Sequence, residues 1–209
     1  MREPTVFIVD DDPSVRRSLV RLVRATGIDV ESFASAAELL AAARHDGPGC
    51  IVLDVRMPGM NGPALQEELG KRGQHMPIVF LSGHGDVPTT ALAMKRGAID
   101  FLTKPVDRDD LLAAIRLSLA QDAQYRARQA EYDVIDDRVK TLTPREYEVM
   151  TYVIAGMLNK QIAVELDISE ETVKIHRGRV MQKLGLTSVA ELARLCVKAD
   201  IVPAQSRQR

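Results

Sequence analysis

The stretch Val6-Phe7-Ile8-Val9-Asp10-Asp11-Asp12-Pro13-Ser14 decides how the first half of the chain is read. Four consecutive apolar residues, three of them β-branched, predict a strand covered on both faces. Three carboxylates then end it, and Val15, Leu19, Leu22 and Val23 follow at helical spacing. Working outward, the same unit recurs four times. Further strands are predicted at residues 30–33, 50–53, 78–81 and 99–102. Ser35 caps a helix holding Leu39 and Leu40, and a Pro/Gly-rich loop leads to a helix around residues 65–69. Another helix falls at 89–95, and the next starts near Asp107 with Leu111, Leu112, Ile115 and Leu119 on one face. Five βα repeats predict an α/β fold: a five-stranded, doubly wound parallel sheet with helices on both sides. In open sheets of this kind, sites form at the carboxyl ends of the strands.

After residue 141 the pattern is helical only. Thr143-Pro144-Arg145-Glu146 is a helix start with cap, proline and returning glutamate. Gly156 ends that helix, a short one follows at 160–166, and Asp167-Ile168 makes a turn. Ser169 caps a third helix running to about residue 184, and Ser188 caps a fourth. The chain therefore divides into 1–120, a linker at 121–140, and an all-α four-helix domain at 141–209. No Gly or Pro lies between Pro105 and Pro144, so the linker is helix-compatible. A single helix from Asp107 to about Arg138 would be roughly 48 Å long; the alternative is a break at 133–137, where helix formers are poorer.

Composition sets the outer bounds. The 209 residues, 45% hydrophobic and 27% charged, are ordinary for a globular chain with one or two cores. The net charge of −1 excludes a uniformly basic nucleic-acid coat. It hides a mild split: residues 1–120 carry 14 basic and 16 acidic groups, residues 141–209 carry 10 and 8. Cys50 and Cys196 lie among apolar neighbours without metal-ligand spacing, so buried reduced thiols are expected. Residues 1–4 lack a signal-peptide core and no apolar run approaches about 18 residues, so a cytoplasmic protein without membrane association is expected.

Asp10, Asp11, Asp54, Ser82 and Lys104 all fall at predicted strand ends, where the topology gathers them. Asp12, before Pro13, is read as a helix cap. Clustered carboxylates repel unless a cation offsets them, and a partial carboxylate cage suits Mg²⁺. Beside such an ion a carboxylate can attack phosphorus and form an acyl phosphate. Lys104 offers a positive charge and Ser82 a hydroxyl to the phosphoryl oxygens. His84, between glycines, reads as a loop residue, and His45 and His75 show no partner in the sequence.

A second cluster lies between Thr172 and Lys183. Lys174, Arg177, Arg179 and Lys183, with His176, occur there without an acid. Val173, Val180, Met181 and Leu184 make the same helix apolar on one side. With the short helix and tight turn before it, this is helix-turn-helix geometry, and a recognition helix for the DNA major groove is expected.

The segments VFIVDDDPSVRRSL, IVLDVRMPGMNG, IVFLSGHGDVPTTALAMKRGAIDFLTKP and LTPREYEVM through TVKIHRGRVMQKLGL, in this order, resemble two-component response regulators of the NarL/FixJ type. The resemblance implies that Asp54 accepts phosphate from a sensor histidine kinase. It implies Asp10, Asp11, Asp54 and the backbone carbonyl of Arg56 as ligands of Mg²⁺, with Mn²⁺ as a substitute. It further implies Ser82 as the hydroxyl that moves toward the phosphate, Lys104 as its contact, a cis Lys104–Pro105 bond and Phe101 as the switch aromatic. Many relatives carry Tyr where this chain has Phe101, which lacks that hydroxyl. In the tail it implies Thr172, Lys174, Ile175 and Gly178 at bases or in the groove, and Lys160, His176 and Arg177 on the backbone of double-stranded DNA. A homodimer, formed on phosphorylation or on DNA and involving the fourth helix, and contact with RNA polymerase are also implied. Two other readings are weighed: an aspartyl-nucleophile Mg²⁺ phosphohydrolase, against which stands Arg56 where a second carboxylate would be needed, and a ligand-sensing receptor, which leaves the acid cluster without a role.

Overall fold

The computed structural model describes residues 3–42, 45–83 and 87–205. Its first compact unit, to Arg126, is built on five parallel strands. They are β1 (Thr5–Val9), β2 (Asp29–Phe33), β3 (Gly49–Asp54), β4 (Ile78–Ser82) and β5 (Asp100–Thr103), in the order β2-β1-β3-β4-β5. The connecting helices are α1 (Pro13–Arg24), α2 (Ala36–Ala41), α3 (Gly62–Lys71) and α4 (Val87–Lys95). The register sets Val9 opposite Leu53, Asp54 opposite Leu81 and Ser82 opposite Thr103. This brings the residues after β1, at the end of β3 and after β5 to one end of the sheet.

Period-two alternation divides the strand residues between two apolar layers. Val6, Ile8, Val52, Val79 and Leu81 pack with Leu19 and Val23 of α1. Phe7, Val9, Ile51, Leu53 and Phe80 pack with Leu65 and Leu69 of α3 and Ala93 of α4. The expectation of strands covered on both faces holds for β1, β3 and β4, which are buried throughout. It does not hold at the margins. β2 exposes Asp29, Glu31 and Ser32, and β5 is only half-buried, because each has a neighbour on one side alone. Asp12 caps α1 as expected, accepting from the Ser14 and Val15 amides at 2.7 and 3.3 Å. Those bonds hold its carboxyl below the ordinary range.

Helix α5 runs from Arg108 to Lys140 without a break at 133–137. Its early turns bury Leu111, Ala114, Ile115 and Leu119 against the sheet, and Leu112 is buried as well. Buried Asp122 accepts from the Gly49 amide at 2.8 Å and from Arg126 Nε at 2.7 Å. Residues from Ala127 onward belong to the second unit, whose core takes up Ile135 and Val139.

The rest of that unit is α6 (Pro144–Ile154), α7 (Asn159–Leu166), α8 (Glu170–Leu184) and α9 (Val189–Lys198). Thr143 and Glu146 form a capping box, Ser169 accepts from the Thr172 amide, and Ser188 and Glu191 repeat the box at α9. Asp167 takes a left-handed φ of 52° at the turn between α7 and α8, a conformation Asp tolerates better than bulkier residues. Val149, Met150, Ile162, Val173, Val180, Leu184 and Leu192 form one core. Both cysteines are free and buried; burial pushes the Cys50 thiol up to about 12 and that of Cys196 to about 11. Among the described residues no helix is long and apolar enough to cross a membrane.

Candidate functional site

The strand ends converge as their sequence positions suggest. Ligand oxygens of Asp10, Asp11 and Asp54 all lie within 4.8 Å of one another. Asp10, 1% exposed, and Asp54, 7% exposed, are buried, whereas Asp11 is open to solvent. Lys104 reaches in from the loop after β5, its Nζ 2.6 Å from Asp10 Oδ2 and 3.3 Å from Asp54 Oδ1. The Lys104–Pro105 bond is cis.

Each group is held by its element. Asp10 accepts from the Asp12 amide at 2.9 Å, and its carbonyl accepts from Arg16 Nη1 at 2.6 Å. The Arg56 amide donates to the Asp54 carboxyl. Ser82 ends β4, buried, and its carbonyl accepts from the Lys104 amide at 2.7 Å, so the β4 and β5 ends are tied together. Phe101, half-buried on β5, lies against Phe80 with ring centroids 6.1 Å apart.

The electrostatics follow from crowding. Burial raises the Asp54 carboxyl above its ordinary value; Lys104 opposes that shift and Asp10 adds to it. At Lys104 desolvation works against the ammonium, but the bonds and charges of Asp10 and Asp54 outweigh it and the pKa rises. Among the described residues the Lys104 ammonium bridges Asp10 and Asp54 with Asp11 beside them, which leaves carboxylates in excess in a pocket of hard oxygen donors. That donor set fits Mg²⁺.

One residue of this site has no counterpart among the sequence candidates. A Cβ on Gly62 would lie 2.6 Å from the Asp54 carbonyl oxygen and 2.9 Å from Phe80. Gly62 therefore lets the start of α3 close over the end of β3. His84 lies outside the described residues. His45 packs edge-on to Phe7 and His75 edge-on to Tyr125, both away from the acids' strand ends in sequence and contact.

On the second unit, Lys160, Lys174, Ile175 and Gly178 are exposed, and Thr172, His176 and Arg177 are half-buried. Not all of the basic charge on α8 is available. Lys183 Nζ lies 2.6 Å from buried Glu146 Oε2 and donates to the Thr141 carbonyl at 2.9 Å. Arg177 Nη1 donates to Asn159 Oδ1 at the start of α7. Lys174 meets exposed Glu171 at 3.3 Å. The Thr172 hydroxyl lies 2.8 Å from that of Ser169. A side chain at Gly178 would meet open space.

Comparison with known proteins places both units. Residues 6–116 match the response regulator receiver domain, and residues 140–196 match the bacterial regulatory proteins of the luxR family. The chain is 46% identical to nodulation protein W of Bradyrhizobium diazoefficiens over 190 residues, covering 91% of this chain and 84% of that protein. It is 42% identical to the transcriptional regulatory protein FixJ of Azorhizobium caulinodans, over 95% of this chain and 94% of that one. Among solved structures, response regulator StyR matches with a TM-score of 0.84 at 47% identity, covering 94% of this chain and 100% of that chain. Full-length FixJ from B. japonicum matches with a TM-score of 0.57 at 40% identity, over 95% and 98% of the two chains. The chain belongs to the two-component response regulators of the NarL/FixJ type, with a receiver domain followed by a luxR-type DNA-binding domain.

Proposed function

We propose that Asp54 is the phosphoacceptor of this regulator and that its phosphorylation by a sensor histidine kinase controls DNA binding by the C-terminal helices. The observation that carries the reading is the meeting of Asp10, Asp11 and Asp54, with the Lys104 ammonium bridging Asp10 and Asp54. In this reading an Asp54 oxygen attacks the phosphorus of a phosphohistidine; the new P–O bond forms as the P–N bond breaks and the imidazole leaves. Asp10, Asp11, Asp54 and the Arg56 carbonyl would hold Mg²⁺, which offsets the charge that gathers on the phosphoryl oxygens. Lys104 and the Ser82 hydroxyl then serve those oxygens. Lys104 is drawn from Asp10 toward the phosphate, which adds roughly 1.5–2 negative charges. Because the Lys104 amide is bonded to the Ser82 carbonyl, the two loops move as a pair, and Phe101 repacks against Phe80. The step biases a two-state surface and builds no new fold.

The division of labour we propose is 1–120 as phosphoacceptor, 121–140 as helical linker and 141–209 as reader of double-stranded DNA. Thr172, Lys174, Ile175 and Gly178 are the groove-facing set; Lys160 and His176 serve the phosphate backbone. Homodimerisation, on phosphorylation or on DNA, suits two half-sites. Contact with RNA polymerase and a cytoplasmic location complete the reading. The only chemistry expected is phosphotransfer to Asp54 and slow autodephosphorylation, in which water hydrolyses the acyl phosphate.

The test is labelling. With Mg²⁺ and acetyl phosphate, the protein should take up one acid-stable, base-labile phosphate that maps to Asp54 and is absent from Asp54→Asn. Continuous release of phosphate from simple esters would show a phosphohydrolase and overturn the reading.

A further inference from the structure

Charge alone puts Arg177 with the DNA-facing residues, but its phase on α8 puts it elsewhere. Val173, Arg177, Val180 and Leu184 recur at intervals of four, three and four, which is a single stripe of a helix. The three apolar members of that stripe are buried in the core. The exposed stripe is Glu171, Lys174, Ile175, Gly178, Arg179 and Gln182. Arg177 therefore points inward, is half-buried, and donates through Nη1 to Asn159 Oδ1.

Asn159 is the first residue of α7, where a short polar side chain commonly serves its own helix end. Here that end is served by Gln161, whose Oε1 accepts from the Leu158 amide at 2.8 Å. The Asn159 side chain is spent on Arg177, 18 residues away, across the turn of the helix-turn-helix. A charged donor and an amide oxygen, both partly shielded, make one of the stronger hydrogen bonds available to a side chain.

We propose that Arg177 is a positioning residue: through Asn159 it sets α7 against α8 so that Lys174, Ile175 and Gly178 enter the groove in register, and it neutralises no phosphate itself. The proposal rests on the DNA-binding reading of α8 and replaces the backbone contact that resemblance implies for Arg177.

The experiment measures affinity of the full chain for a duplex selected from a random pool, and for a scrambled duplex, across a salt series. Arg177→Met and Asn159→Ala should each weaken the selected complex about ten-fold, and the double variant no further. Affinity for the scrambled duplex and the slope of log K against log salt should stay as in the wild type. A phosphate contact predicts instead that Arg177→Met lowers both affinities and reduces the slope by about 0.9; that result overturns the proposal. So does wild-type behaviour of Asn159→Ala, which leaves every charge in place and decides the matter alone if Arg177→Met loses helix content. Failure of the wild-type protein to bind any duplex in the pool would overturn the underlying DNA-binding reading.

Discussion

Asp54 and Glu146 are both buried carboxylates, each within reach of one lysine, and their environments drive them in opposite directions. Glu146 has Lys183 Nζ at 2.6 Å and the Thr143 amide at 2.9 Å. The bond from Lys183, then that from Thr143, holds its carboxyl below the ordinary range. Asp54 stands farther from its lysine, at 3.3 Å, and shares it with Asp10, which is closer. Burial wins there and the carboxyl is raised. A carboxylate given its own cation locks two helices together. A carboxylate that must share one stays short of positive charge, the condition under which an incoming cation is welcome.

The lysines offer the largest test of that contrast. Lys183→Met should cost the C-terminal unit roughly 1–3 kcal/mol in urea melts, because Glu146 stays buried without its ammonium. Added Mg²⁺ should not restore it. Lys104→Met should destabilise the N-terminal unit, and there Mg²⁺ should restore most of the loss. Equal insensitivity of both variants to Mg²⁺ would break the comparison.

Asp54→Asn should act in the other direction. It removes an ion that burial disfavours, so the N-terminal unit should gain stability, by under about 1 kcal/mol. A clear loss of stability in hydrogen exchange at β3 would mean that Asp54 is a structural partner like Glu146.

Acid gives the smallest and most diagnostic difference. The Asp54 carboxyl is raised from 3.8 in the fold, so its cost is present above the folded value and fades as pH falls through it. The Glu146 carboxyl is lowered from 4.5, so its contribution is complete above about that pH and is lost as pH falls through the folded value. As pH falls from neutrality toward about 4.5 the two units should therefore diverge, the first beginning to gain stability and the second unchanged. The chain has no Trp and four Tyr, and Tyr132, Tyr147 and Tyr152 belong to the second unit. Tyrosine emission thus follows that unit, and backbone exchange at β1 and β3 follows the other. A parallel fall of both over this window would remove the distinction.

The acid cluster could be read from sequence because each member ends or follows an apolar run, and the parallel topology does the gathering. The position of Lys104 after β5 was open to the same logic. Gly62 was not, since its requirement is the close approach of one backbone to another, which leaves no periodic trace. The partners of Lys183 and Asp122 were hidden for a related reason: Glu146 is 37 residues from Lys183, and Gly49 is 73 from Asp122. Only packing creates those pairs. Arg177 differs from both, because its stripe with Val173, Val180 and Leu184 is visible in the sequence, although its charge groups it with the exposed basic residues of α8. The covered-strand rule failed at β2 because it describes interior strands, and a run of four residues does not tell which strand is outermost.

The native thiols have a practical consequence. Cys50 and Cys196 are enclosed and hold their protons far above neutral pH, and it is the thiolate that reacts. A cysteine introduced on the exposed side of α8 would be alkylated selectively by a maleimide dye at neutral pH. Fluorescent reporters of operator encounter can then be installed without first stripping the chain of its own sulfur.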